Sequence, residues 1–387
     1  DIYFDVWEFN DRIAEPGISS LGGTTMKVNS TNGLIQYAFS DGLFMRMADG
    51  NNSSQQWVKG WDTWQEPSIG FHVDARGRTV SAGHPSDTNG SDAIDRYALM
   101  TSAWGVGYTN GNEGLHGNRQ NVKLLEGTGE KNSDGKLVIQ RKRIWSTTFA
   151  STQASKDNVD SVNLYMAYYD SLNKEIRFRA GFVPATDAKA DVAFDMYIDS
   201  EPTKDGSYSL RRSQLIANSS SLKASSRGSS QFVSLAATTT TVNNATKDVV
   251  CAVWYDSYAK KLRYSYKIDP MAYVTSDQNN GTAANWSTPV DIFSSVGGGE
   301  YCQIAIDAQG RVHIAAFAGS GQVYYAYATA YNQSFTEVCV DATEQVGKHL
   351  TLDVALDSNN NSVPYLGYYS ASGKPVYAYL SASAASK

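Results

Sequence analysis

Apolar and polar residues alternate in short runs along the chain, and tight-turn residues punctuate the runs. Between Tyr301 and Ile306 the positions Cys302, Ile304 and Ile306 are apolar. Asp307-Ala-Gln-Gly310 follows, with aspartate at the start and glycine at the end of a turn. Val312 to Phe317 is almost continuously apolar, the pattern of a strand covered on both faces. Gly319-Ser-Gly321 turns the chain again, and Val323, Tyr325 and Tyr327 alternate once more. The period is two rather than 3.6, so these elements are strands.

This strand–turn–strand–turn–strand unit recurs, with copies starting near Met26, Ile69, Ser146, Gln231, Tyr301 and Leu350. The third and fourth copies align closely, AYYDSLNKEIRF (167–178) against VWYDSYAKKLRY (253–264). Most units are trailed by one more short strand, as at Phe335 to Val340 and Pro289 to Phe293. Four strands per unit at a recurring interval, without an amphipathic helix, predict an all-β fold: a β-propeller of four-stranded antiparallel blades in a single domain, 1–387. Seven blades are favoured over six, because Val192 to Ser200 is a weaker match that reads as part of a seventh unit. An extended β-sandwich array is the competing architecture.

A ring of blades needs its first and last members pinned, since open sheet edges template aggregation. Asp1 to Asn10 alternates like a strand and is the expected closing strand on the last blade. The Ser-, Thr-, Asn- or Ala-rich stretches Asn218 to Ser230, Thr238 to Thr246 and Ser381 to Lys387 read as solvated loops and a flexible tail.

Composition sharpens this picture. The 387 residues include 24 tyrosines and 8 tryptophans but only 19% charged residues, and aromatics suit a pleated, half-buried surface. The net charge of −6 excludes a nucleic-acid or anionic-membrane surface as the main partner. No apolar run reaches the ~18 residues of a spanning helix. Cys251, Cys302 and Cys339 lie in apolar strand patterns without a CxxC pair and read as small buried hydrophobes. The Asn/Ser/Thr/Tyr-rich, Lys-poor composition resembles that of bacterial exported or lipid-anchored surface proteins. That places the protein outside the cytoplasm (periplasmic, cell-surface or secreted), with a lipid anchor expected upstream of Asp1.

In a four-stranded blade, the turn from strand 2 to strand 3 and the passage to the next blade share one face of the disc. Residues just before each inner strand ring the central mouth on that face. Arg227, Glu300, Tyr301 and His349 are the candidates there. A second, local cluster comes from the connections flanking the second unit: Trp61, Trp64 and Glu66 before it, His84, Asp87 and Arg96 within it. Flat aromatic rings suit apolar ligand surfaces and charged groups orient polar ones. Solvated loop ends, and tryptophans packed between blades, are the structural alternatives. The five histidines lack metal-ligand spacing, and no GxSxG, P-loop or dinucleotide fingerprint occurs. No metal, cofactor or catalytic residue is therefore expected.

The repeat, as in IAIDAQGRVHIAAF (304–317) followed by GQVYYAYA (321–328), resembles the blades of sialidase-like six- and seven-bladed propellers. The resemblance implies a propeller fold. It also implies, as an alternative function, a glycoside hydrolase using carboxylates and arginines in the central mouth. The arginine motif of that family has only a loose echo at Asp11-Arg12-Ile13-Ala14-Glu15-Pro16, and Gly281 to Trp286 matches only the tail of an Asp box. The leading expectation is thus a non-enzymatic propeller that binds a glycan or protein ligand through its loop-rich face.

Overall fold

In the computed structural model, 24 strands are described, with the connecting chain over residues 232–256, 259–270, 286–343 and 350–369. Side chains are described for parts of residues 148–380. The chain opens with β1 (Ile2–Val6). The first sheet is β2 (Thr24–Val28), β3 (Ile35–Ser40), β4 (Phe44–Asp49) and β5 (Val58–Asp62). The second is β6 (Gly70–Val73), β7 (Thr79–Gly83), β8 (Ala98–Ser102) and β9 (Arg119–Gln120). The third is β10 (Ile144–Lys156), β11 (Val159–Asp170), β12 (Glu175–Val183) and β13 (Gln214–Ala217). The fourth is β14 (Val233–Val242), β15 (Ala245–Asp256), β16 (Lys261–Ile268) and β17 (Val290–Ile292). The fifth is β18 (Gly298–Ile306), β19 (Val312–Ala318), β20 (Gln322–Ala328) and β21 (Thr336–Asp341). The sixth is β22 (Thr351–Leu356), β23 (Ser362–Tyr369) and β24 (Pro375–Leu380), with β1 as its fourth strand.

Among the described residues all six sheets are four-stranded and antiparallel; the first five are meanders, and the sixth is completed by β1 from the start of the chain. The first strand of each packs on the first strand of the next, from β2 on β6 through to β18 on β22. That serial packing of inner strands is the arrangement of a β-propeller. β1 pairs with β24 from Ile2↔Leu380 to Val6↔Val376, tying the two ends of the chain into one sheet. Val192 to Ser200 lies outside the described residues. In chain order it falls between β12 and β13, which pair with each other.

The core sits between sheets. Tyr165, Tyr169, Phe178, Val250, Ala252 and Trp254 join the third to the fourth. Cys251, Leu262, Ile304 and Ile314 join the fourth to the fifth, and Phe317, Val323, Leu352 and Leu366 the fifth to the sixth. Every residue of β19 is buried, as its continuous apolar run predicts. Completely burying a ring such as Phe178 or Trp254 contributes about 1.5–3 kcal/mol or more.

Two expectations are corrected. Thr238 to Thr246 is not a loop: Thr238–Val242 continues β14 and pairs with Ala245–Val249 of β15. β-branched threonines favour the extended backbone, and Asn243 and Asn244 take the positive φ values (50° and 62°) of a two-residue hairpin turn. Cys251 and Cys302 are buried, but Cys339 is exposed, because it lies on an outer strand where most positions meet solvent.

Asp307, at the turn from β18 to β19, staples the fifth sheet to the sixth. Asp307 caps its own turn, its Oδ1 accepting the N–H of Gln309 (2.9 Å) and of Arg311 (3.0 Å). Its Oδ2 accepts from Arg311 Nε (2.6 Å) and, across the sheet boundary, from Ser362 Oγ (2.7 Å). His313 Nε2 lies 3.4 Å from the same oxygen, and His313 Nδ1 is 2.6 Å from the Tyr325 hydroxyl. Burial holds His313 neutral, against the pull of Asp307. The ring thus donates to the carboxylate and accepts from the phenol. Burial works against the charged form of Asp307, but the Ser362 and Arg311 hydrogen bonds outweigh it and hold the carboxyl down at about 2.

The folded pKa lies below the unfolded one. This staple is therefore at full strength above about pH 4 and is lost as the pH falls toward 2. Urea unfolding from pH 6 to pH 2 is expected to show a steep acid loss in the wild type. Asp307→Asn is expected to be less stable at pH 6 and to show a shallower decline. Equal slopes would remove Asp307 from the acid response.

Candidate functional site at the inner-strand approach

Gly297 immediately precedes β18, and Gly298 and Gly299 are its first two residues; their φ values are 72°, 94° and 129°. Two of them are fixed by close approach. A Cβ on Gly298 would stand 2.8 Å from Ala318 Cα, and one on Gly299 2.5 Å from Leu262 Cβ. The backbone is tied down on both sides. Gly298 N–H donates to Lys260 O (3.0 Å) at the strand 2–3 turn of the fourth sheet, and Gly319 N–H donates to Gly297 O (2.8 Å) at the equivalent turn of the fifth. Two register shifts follow, between Gly298 and Glu300 and between Glu300 and Gln303. Bulges of this kind re-aim side chains at strand ends.

They leave Glu300 exposed and Tyr301 half-buried in a left-handed conformation, φ 53°. A non-glycine residue there stores backbone strain, which concentrates at functional positions. The Tyr301 ring packs on Phe232 (4.2 Å between centroids) and edge-on to Phe317 (6.2 Å). Phe232 precedes β14, and its carbonyl accepts the N–H of Tyr255 (2.9 Å), the penultimate residue of β15. Burial first, and then the Glu300 carboxylate, push the Tyr301 phenol above its ordinary value. Burial, Glu300 and Asp256 do the same to Tyr255.

One exposed carboxylate is thus set among two neutral phenols and the faces of Phe232 and Tyr301. The phenols stay protonated and can donate or accept, the carboxylate accepts, and the rings offer flat apolar surface. A raised phenol is the reverse of what a phenolate nucleophile requires. Among the described residues there is no group of three or more His, Cys, Asp or Glu able to hold a metal ion.

Of the residues singled out from sequence, Glu300 and Tyr301 are brought together here. Trp61 lies in β5, the outer strand of the first sheet, rather than in the connection after it. Trp64, Glu66, His84, Asp87, Arg96, Arg227 and His349 lie outside the described residues. Phe232 and Tyr255 were missed. The aligned pair Tyr169-Asp170 and Tyr255-Asp256, at equal places in two repeats, was the available signal.

No described protein family matches the chain, and no curated protein matches it in sequence. Solved structures do. AofleA from Arthrobotrys oligospora superposes with a TM-score of 0.50 at 7% identity, covering 98% of this chain and 87% of that one. A triple arginine-to-alanine mutant of AofleA gives 0.51 with the same identity and coverage. Trypanosoma rangeli sialidase in complex with the inhibitor DANA gives 0.42 at 8% identity, covering 93% of this chain and 55% of that one. At such identities the likeness to AofleA is one of fold. Among the described residues no helix is long and apolar enough to cross a membrane.

Proposed function

We propose that the protein is a non-enzymatic, extracytoplasmic β-propeller that binds a glycan through the face carrying the inner-strand approaches. The observation that carries this reading is the built setting of Glu300: an exposed carboxylate on a glycine-fixed bulge, flanked by the Tyr301 and Tyr255 phenols and the Phe232 ring. Carbohydrate recognition needs that mixture, apolar ring faces for C–H surfaces and convergent acceptors and donors for hydroxyls. Arg227 and His349 are assigned to the same mouth, and Trp61, Trp64, Glu66, His84, Asp87 and Arg96 to a flanking patch on that face. Six blades are inferred, one fewer than the sequence favours, because β13 follows Val192–Ser200 in chain order and returns to pair with β12. The composition supports the location outside the cytoplasm.

A glycan-array screen of the purified protein is expected to give discrete hits that weaken in Glu300→Gln and Tyr301→Ala, each by about tenfold, the loss of one good polar or stacking contact. A blank array, with a protein captured instead in pull-downs, would transfer the site to a protein ligand. Release of chromophore from a panel of chromogenic glycosides would replace the binding reading with a glycoside hydrolase.

A further inference from the structure

Charge at the approach to β18 narrows the ligand. Among the described residues the acidic side chains of the fourth and fifth sheets are held by partners. Asp269 pairs with Lys247, Asp291 with Lys261 and Asp307 with Arg311. Asp248 collects three donors from the third sheet, and Glu337 accepts the N–H of Phe293 (2.7 Å). Glu300 differs. It is exposed, and among the described residues it takes part in no ion pair or hydrogen bond.

The cations nearest in the fold are used elsewhere. Lys261 is on Asp291, and Arg263 lies between Asp256 (3.5 Å) and Asp291 (3.7 Å). Lys260, whose carbonyl ties down Gly298, makes no ion pair to Glu300. Burial first, and then carboxylates alone, raise the two phenols: Glu300 acts on Tyr301, and Glu300 with Asp256 on Tyr255. The local field is therefore negative. The Phe232 and Tyr301 rings, 4.2 Å apart, add π faces, which attract cations. The chain also holds this carboxylate in place, on a glycine-fixed bulge beside a tyrosine at φ 53°.

We infer that the Glu300 site takes a protonated primary amine, so that the glycan it binds carries a free amino-sugar unit, a hexosamine without its acetyl group. A primary ammonium has three donors and one positive charge. It can donate to the Glu300 carboxylate and to the neutral phenol oxygens beside it, and a charge-assisted bond is the stronger kind. A trimethylated amine has no donor for these oxygens. A carboxylated sugar would set its charge against Glu300. A neutral sugar would leave the unpaired charge unanswered. The inference rests on the glycan-binding reading above and adds the ligand's charge class to it.

The test is calorimetric titration of the full chain with matched saccharides. The probes are a glucosamine tetramer, its N-acetylated counterpart, a methyl sialoside, and acetyl-lysine amide as an amine without a sugar. The glucosamine tetramer is expected to bind about tenfold more tightly than the N-acetylated one. Glu300→Gln is expected to erase that preference, and Tyr301→Phe to reduce it about threefold. Raising the pH until the probe's amine is neutral should erase it in the wild type as well. Asp353→Asn removes the same charge from an exposed position on β22 and is expected to leave the preference unchanged. Thermal unfolding shows whether each variant is folded. Equal affinity for the two tetramers, or a preference that survives in folded Glu300→Gln, would overturn the ammonium site and leave glycan binding intact. Preference for the sialoside would do the same, as expected if Arg227 were the charge that governs the mouth. Acetyl-lysine amide binding as tightly as the glucosamine tetramer would overturn the amino sugar as ligand class. No binding of any probe would overturn the inference, and hits on the glycan array separate that result from a failure of glycan binding itself.

Discussion

Gly299→Ala is expected to destabilise the protein by about 3 kcal/mol or more, from backbone strain and overpacking together. At φ 129° an L side chain is strained in any surroundings, and its Cβ would stand 2.5 Å from Leu262 Cβ and 3.1 Å from Leu262 Cα. Leu262 is fully buried in the core between the fourth and fifth sheets and has no room to retreat. The inner strand would have to move away, taking Glu300 and Tyr301 with it. The denaturation midpoint should fall and glycan binding should weaken in the same variant. Gly310→Ala is the matched control. Its φ is also positive, 80°, but a Cβ there meets nothing within 4 Å, so a loss of about 1 kcal/mol is expected. Similar midpoints for the two alanine variants would mean that close packing against Leu262 does not fix the approach to β18.

Asp248→Ala is expected to cost about 3 kcal/mol, chiefly by stranding donors. One oxygen of Asp248 accepts from Thr152 Oγ1 (2.5 Å), Asn163 Nδ2 (2.7 Å) and the Tyr165 hydroxyl (2.6 Å), all on the third sheet. Its other oxygen accepts from Thr239 Oγ1 (2.7 Å) on its own sheet. Tyr165 is fully buried, so water cannot replace the lost acceptor without opening the boundary between sheets. Tyr165→Phe in the Asp248→Ala background should recover part of the loss, since it removes one stranded hydroxyl. Thr239→Ala, which cuts only an exposed bond, should stay within about 0.5 kcal/mol of wild type. Urea denaturation of the four proteins measures both effects. Equal stability of Asp248→Ala and wild type would show that apolar packing alone joins the third and fourth sheets.

The fold was legible in sequence because its unit is local. Strand and turn alternate within some thirty residues, and each turn has its own chemistry: Asp307 and Asp357 accept nearby backbone N–H groups, while Gly310 and Asn360 supply positive φ. Thr238 to Thr246 was misread because low complexity suggested a loop, whereas threonine's β-branched side chain favours the strand it forms. Cys339 was misread because alternation does not distinguish an outer strand from an inner one. Glu300 and Tyr301 were found because the sequence puts them at the entry to an inner strand, although the strand starts earlier than the alternation suggests and they are the third and fourth residues of β18.

Their companions were not legible as a group. Phe232, Tyr255 and Tyr301 are far apart in the chain and meet only through sheet packing. The run Gly297-Gly298-Gly299 reads in sequence as a pliable loop. Its real constraint, the nearness of Leu262 and Ala318, comes from residues more than fifteen positions away.

Calorimetric titration of the best array glycan into the wild type and into the Glu300→Gln/Tyr301→Ala double variant tests the glycan-binding reading most directly. Mass analysis of the recovered glycan completes it. Saturable binding to the wild type is expected, at least tenfold weaker binding to a double variant that unfolds at the wild-type temperature, and a glycan recovered intact. Unchanged affinity in the folded double variant, or a glycan recovered shortened, would contradict a non-enzymatic glycan site at the approach to β18.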